Sequence, residues 1–136
     1  MMRMRALEII NSQLDELTSS FDHKFEIVAI GSASTGKTCL FNRYFKNIFE
    51  KADITINFNM YSKSYKIEGQ TVMLTAIDTS GEERFKSLTQ NYIKNKQCIL
   101  LVFNIGDERS FAEVKKWQDW ADNIRDPKAI RVLVGT

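Results

Sequence analysis

A doubly wound α/β domain with a mostly parallel sheet is predicted by three observations. First, residues 31–38 read Gly-Ser-Ala-Ser-Thr-Gly-Lys-Thr, a complete GxxxxGK[ST] phosphate-binding loop. Second, short apolar strand runs alternate with helical periodicities from residue 24 to the last residue. Third, one of those strand runs ends in Asp78-Thr79-Ser80-Gly81, a carboxylate followed within three residues by a glycine.

The loop sits where its chemistry needs it. Phe25–Ile30 alternates as a buried strand before it, and Cys39–Phe45 reads as a helix after it. Backbone N–H groups of Gly31, Ser32, Ala33, Ser34, Thr35, Gly36, Lys37, Thr38 and Cys39 are thereby expected to surround phosphate oxygens at the positive end of a helix. Lys37 supplies a positive charge for the outer phosphates, and the Thr38 hydroxyl is placed to ligate Mg²⁺.

The remaining elements follow in order. Residues 4–20 carry Leu7, Ile10, Leu14 and Leu17 at 3-4-3 spacing, with Phe21 next in step, the pattern of an amphipathic helix. Residues 48–57 have no period and are expected to form a mobile loop. Phe58–Ile67 and Thr71–Ile77 are strand-like runs joined by Glu68-Gly69-Gln70, whose Gly69 is a hairpin signal. Residues 82–96 read as a helix with Phe85, Leu88, Tyr92 and Ile93 on one side, followed by a strand over 97–104. Asp107 is expected to cap a helix over 108–124, whose Phe111, Val114, Trp117, Ala121 and Ile124 form an apolar stripe. A strand over Ile130–Val134 comes last.

Bulk properties narrow the function. With 136 residues, 43% of them hydrophobic, six Gly and one Pro, the chain is a single domain with a real core and not a disordered linker. A net charge of +2 gives no reason to expect nucleic acid as a partner. Cys39 and Cys98 lie in apolar runs and are expected to be buried, reduced thiols of a cytoplasmic protein. The lone His23 is expected before the first strand, with no second histidine to join it in catalysis or metal binding. The longest apolar run, Cys98–Phe103, is strand-sized, and neither terminus carries a lipidation signal, so membrane contact is expected to be indirect.

The chemistry-bearing residues converge on one site. Thr38 and Asp78 can serve the same Mg²⁺, the latter through a water, while Thr55 in the mobile loop can close on the metal and the terminal phosphate. The Gly81 N–H can approach that phosphate because no side chain obstructs it. Two segments that touch only the third phosphate would order with a triphosphate and relax with a diphosphate.

These motifs, with Thr55-Ile56, DTSGEERFKSLT over residues 78–89, Leu100–Phe103, Ser110-Phe111, Trp117 and Leu133–Gly135, resemble a Ras-superfamily small GTPase, most of all the Rab branch. The resemblance implies a P-loop NTPase fold and a GTP/GDP switch dependent on Mg²⁺, acting in vesicle trafficking or signalling, peripheral on endomembranes. It implies Thr38, Thr55 and Asp78 around the metal, Phe49 across the nucleotide base, and Gly81 and Lys37 at the third phosphate. It also implies exchange factors, GTPase-activating proteins and effectors that bind through residues 48–60 and 80–96.

Three departures bear on function. Glu82 stands where the family has the glutamine that orients the attacking water. An ionised carboxylate cannot donate a hydrogen bond there, whereas a carboxylate able to take a proton from water would act as a base. Ile56–Met60 replaces the usual IGVDF, and Ile77 takes the place of the interswitch tryptophan. Thr136 coincides with the first residue of the family's guanine-reading motif. The chain is therefore expected to be a truncated small G domain over 24–136, its last strand and helices absent, preceded by an N-terminal helix within 1–23. A degenerate, non-hydrolysing binding module, a fragment of a longer GTPase and a nucleotide kinase are the alternatives.

Overall fold

A computed structural model describes residues 21–52, 55, 58–82 and 86–136. Five strands form one sheet: β1 (His23–Ile30), β2 (Phe58–Ile67), β3 (Gln70–Thr79), β4 (Cys98–Phe103) and β5 (Ile130–Gly135), in the order β2-β3-β1-β4-β5. Only the β2–β3 pair is antiparallel; β3, β1, β4 and β5 run parallel. The expected mostly parallel α/β sheet is present.

Side chains alternate across the sheet, so each strand feeds two cores. On one face Val28, Ile30, Ile77, Ile99 and Leu101 pack against Ile93, Trp117 and Ala121. These last three come from α2 (Lys86–Ile93) and α4 (Val114–Asp122). On the other face Ala29, Ala76, Val102 and Tyr61 pack against Phe41, with Phe45 beside them. Phe41 ends α1 (Lys37–Phe41), which continues as one turn of π-helix over Asn42–Lys46.

The hairpin forms where Gly69 marks it, with a turn one residue shorter than the 68–70 connection expected, because Gln70 joins β3. Ile67 pairs with Gln70, leaving Glu68 and Gly69 as a two-residue turn with φ of 50° and 80°. Positive φ at both positions is the type I′ geometry that matches strand twist.

Several elements differ from the sequence reading. The helix expected over 108–124 is two helices, α3 (Glu108–Ala112) and α4, divided at Glu113, where ψ flattens to −16°. The short α3 is held separately: Asp107 caps it by accepting from Arg109 N, and Ser110 Oγ accepts from Asn104 N. Phe111 consequently lies outside the core stripe, 54% exposed, with its ring tilted against Phe103. The helix expected over 82–96 is shorter, because Glu82 is not helical and α2 ends at Ile93. Its phase turns Thr89 and Ile93, four residues apart, inward and leaves Leu88 exposed. His23 opens β1 instead of preceding it, where it bonds Gln70. Cys39 and Cys98 are free thiols, half-buried and not buried. The amphipathic run over 4–20, Ile56 and Phe85 lie outside the described residues.

Candidate functional site

The loop over 31–38 leaves the end of β1 in a conformation that glycines make possible. Gly31 has φ of 144°, and a Cβ there would stand 2.2 Å from the Val102 carbonyl oxygen. Gly36 has φ of 89° at the entrance to α1. The loop is tied from outside as well: Thr136 Oγ1 lies 2.6 Å from the Thr35 carbonyl, and Trp117 Nε1 donates to Ser32 Oγ at 3.2 Å.

Lys37 is the charged centre of this loop and only 5% exposed. Its three ammonium protons point at the Gly31 carbonyl (3.0 Å), the Ser32 carbonyl (2.7 Å) and Thr35 Oγ1 (3.4 Å). Burial depresses its pKa from 10.5 to about 8, against the opposing pull of Asp78. An ammonium held this way among neutral acceptors is stabilised by any anion entering the loop.

A second cluster stands beside it. Thr38 Oγ1 donates to Asp78 Oδ2 at 2.5 Å, so its single proton is used and Thr55 Oγ1, 2.8 Å away, donates to it. Asn59 Nδ2 donates to the same carboxylate oxygen at 3.3 Å. Asp78 is fully buried, and burial raises its pKa although Thr38, Asn59, the Lys37 charge and Thr55, whose Oγ1 lies 3.4 Å from Oδ2, all oppose the rise. Its other oxygen, Oδ1, is buried without a hydrogen-bond partner.

An orphaned carboxylate oxygen beside two converging hydroxyls fits a hard divalent cation such as Mg²⁺, which takes oxygen ligands and keeps several waters. Among the described residues no group of three His, Cys, Asp or Glu side chains could hold a metal ion.

A cavity of about 280 Å³ opens over both clusters, lined by Ala33, Ser34, Thr35, Gly36, Lys37, Thr38, Cys39, Thr55 and Gly81 among the expected residues. Gly81 lies against the loop itself: a Cβ there would meet Ala33 N at 2.3 Å and Ser32 O at 2.5 Å. Five expected residues do not line the cavity: Gly31, Ser32 and Asp78, which lie behind its wall in the positions given above, and Phe49 and Glu82. Phe49 is 79% exposed, and Glu82 is half-buried with its N–H on Ser80 Oγ.

Four residues were missed by sequence reasoning. Lys51, Ala52 and Thr79 line the cavity, and Asn59 holds Asp78. Counting back along the hairpin from a two-residue turn at Glu68-Gly69 sets Asn59 opposite Asp78, one residue from the register that the expected 68–70 connection would give. Lys51 carried no comparable signal.

A sequence model of the Ras family matches residues 26–136. Among curated proteins, the chain is 37% identical over 116 residues to the human Ras-related protein Rab-30, covering 85% of this chain and 57% of that protein. It is 33% identical over 120 residues to the maize GTP-binding protein YPTM1, covering 88% and 58%. Against the Saccharomyces cerevisiae GTP-binding protein YPT1 the identity is 32% over 120 residues, with the same coverage. The chain thus spans less than three fifths of the length of these relatives.

Proposed function

Because the chain belongs to the Ras family and is Rab-like, we propose that it is a guanine-nucleotide switch that hydrolyses GTP to GDP in vesicle trafficking or intracellular signalling. The observation that carries the reading is the pairing of a buried ammonium inside the loop with the Thr38–Thr55–Asp78 cluster beside one cavity.

In this reading the amides of residues 33–38 bind the phosphates, and Lys37 turns from the Gly31 and Ser32 carbonyls onto the outer phosphate oxygens. Thr38 and Thr55, with Asp78 acting through a water, would hold Mg²⁺, which would supply positive charge to the phosphates. Gly81 meets the third phosphate through its N–H, and Glu82 fills the water-positioning place. Guanine preference, with Phe49 across the base, comes from family membership.

Exchange factors, GTPase-activating proteins and effectors would approach residues 48–60 and 80–96. The exposure of Phe58, Met60 and Leu88 supports that surface. Among the described residues no helix is long and apolar enough to cross a membrane. A cytoplasmic protein, peripheral on endomembranes, fits this reading.

Glu82 in place of the usual glutamine favours a second reading, a binding module that does not hydrolyse. Single-turnover phosphate release from GTP by the parent chain, Glu82→Gln and Lys37→Ala separates the two. A functioning enzyme releases phosphate in the parent, at least about ten-fold faster in Glu82→Gln, and none in Lys37→Ala. Tight GTP binding with no release in either of the first two leaves the binding module. Chromatography of the co-purifying nucleotide, with ATP competing against GTP, tests the base preference and separates a switch from a kinase.

A further inference from the structure

Lys86 opens α2 where both burial and the helix dipole disfavour a positive charge. It is half-buried on the inward face of the helix, three residues before the buried Thr89 and seven before the buried Ile93. Two indoles of α4 offset this. Lys86 Nζ stands 4.5 Å from the ring centre of Trp117 and 5.5 Å from that of Trp120, both within reach of a cation–π contact. The two rings meet edge to face, 5.6 Å apart at 81°, and form a corner that the ammonium fills.

Trp117 carries the contact onward to the phosphate loop. Its Nε1 donates to Ser32 Oγ at 3.2 Å, and the Ser32 carbonyl accepts from the Lys37 ammonium at 2.7 Å. A cation over an indole draws electron density from the ring and makes its N–H a stronger donor. Ser32 is met a second time from the same part of the chain. The backbone of Gly81, five residues before Lys86, lies so close that a Cβ there would stand 2.5 Å from the Ser32 carbonyl oxygen. Gly81 and Lys86 thus reach one loop residue, the first directly and the second through an indole.

We propose that Lys86 is a positioning residue of the phosphate loop. Seated on Trp117, its ammonium fixes the N–H that holds Ser32, so the seating of α2 and the shape of the loop change together. The consequence for nucleotide rests on the reading in which residues 33–38 bind phosphate; the contact itself does not.

Lys86→Met keeps most of the alkyl stem and removes the charge, while Lys86→Arg restores a cation. In the ligand-free full chain, deuterium exchange of the Trp117 indole N–H is followed by NMR, with Trp120→Phe assigning the two indole signals. Exchange is expected to be at least about three-fold faster in Lys86→Met than in the parent, and parent-like in Lys86→Arg. Equal rates in all three chains overturn the proposal. Titration with GDP is expected to show about three-fold weaker binding in Lys86→Met, recovery in Lys86→Arg, and no further loss when Lys86→Met is added to Ser32→Ala. Lys86 makes other contacts as well, and a loss through those would be equal with and without Ser32→Ala, which also sinks the assignment. A parent chain that binds no GDP while the exchange difference persists overturns the nucleotide reading and supports Lys86 as the residue that holds the loop.

Discussion

Trp117 Nε1 donates to Ser32 Oγ at 3.2 Å, joining the buried stripe of α4 to the second residue of the phosphate-binding loop. The indole is 2% exposed and wedged against Trp120, so its N–H has little freedom to turn elsewhere. Ser32 in turn gives its carbonyl to Lys37. A core residue outside the cavity thereby helps hold the loop in a shape that receives phosphate.

Removing either end of this bond should loosen the loop without unfolding the domain. Trp117→Phe and Ser32→Ala are each expected to weaken nucleoside-diphosphate binding about 3- to 10-fold, the worth of one partly buried hydrogen bond. The double variant should be no weaker than the worse single one, because both remove the same contact. Calorimetric titration of all four chains measures this.

Gly31 and Gly69 should answer differently to the same substitution. Gly31→Ala drives a methyl group into the Val102 carbonyl at a φ of 144°, where neither backbone can yield. A loss of about 3 kcal/mol or more is expected. Gly69→Ala keeps an unfavourable φ of 80° but meets nothing within 4 Å, so its cost should stay near 1 kcal/mol. Urea denaturation compares the two.

Asp78 couples stability to its ligand. Burial holds its folded-state pKa above that of the unfolded chain. The folded state therefore binds the proton more tightly, and stability falls as pH rises through the window from 3.8 to the raised folded value. Asp78→Asn should remove that slope and leave the ligand-free chain at least as heat-stable as the parent at neutral pH. The same variant should lose the extra stabilisation that Mg²⁺ adds to bound nucleotide. Thermal scans with and without Mg²⁺ and nucleotide check both expectations.

Lys37 sets an alkaline limit on binding. With its pKa depressed to about 8 in the free protein, the ammonium is charged at pH 7 and largely neutral at pH 9.5. A phosphate in the loop favours the charged form, so affinity should fall as pH rises through 8. About ten-fold is expected between pH 7 and 9.5. In Lys37→Ala the residual affinity should show no such step.

Much of this site was legible before any coordinates. The GxxxxGK[ST] spacing marks the loop because only glycines reach the φ of Gly31 and Gly36, and only a long cation at Lys37 reaches back across it. Gly69 marked the hairpin, but a connection over 68–70 would set Asn59 opposite Thr79, and the two-residue turn, with positive φ at both Glu68 and Gly69, sets it opposite Asp78. Helix phase was harder to read. Leu88 and Phe111 suit a buried stripe by spacing, yet α2 turns Thr89 and Ile93 inward, and the division at Glu113 leaves Phe111 outside. Hydrophobic spacing gives a helix a preferred face, while the helix's start and its neighbours decide which residues that face buries.

Local sequence was enough for the loop, the hairpin and the strand carrying Asp78, because each depends on backbone conformations and spacings a few residues long. Two features required the assembled sheet: the anchoring of Ser32 by Trp117 and the orphaned Asp78 Oδ1. Each arises from residues far apart in the chain, brought together by the β2-β3-β1-β4-β5 strand order and the twist and packing that follow from it. Burial, which shifts the charge states of Lys37 and Asp78, is a property of that packing and of no single segment.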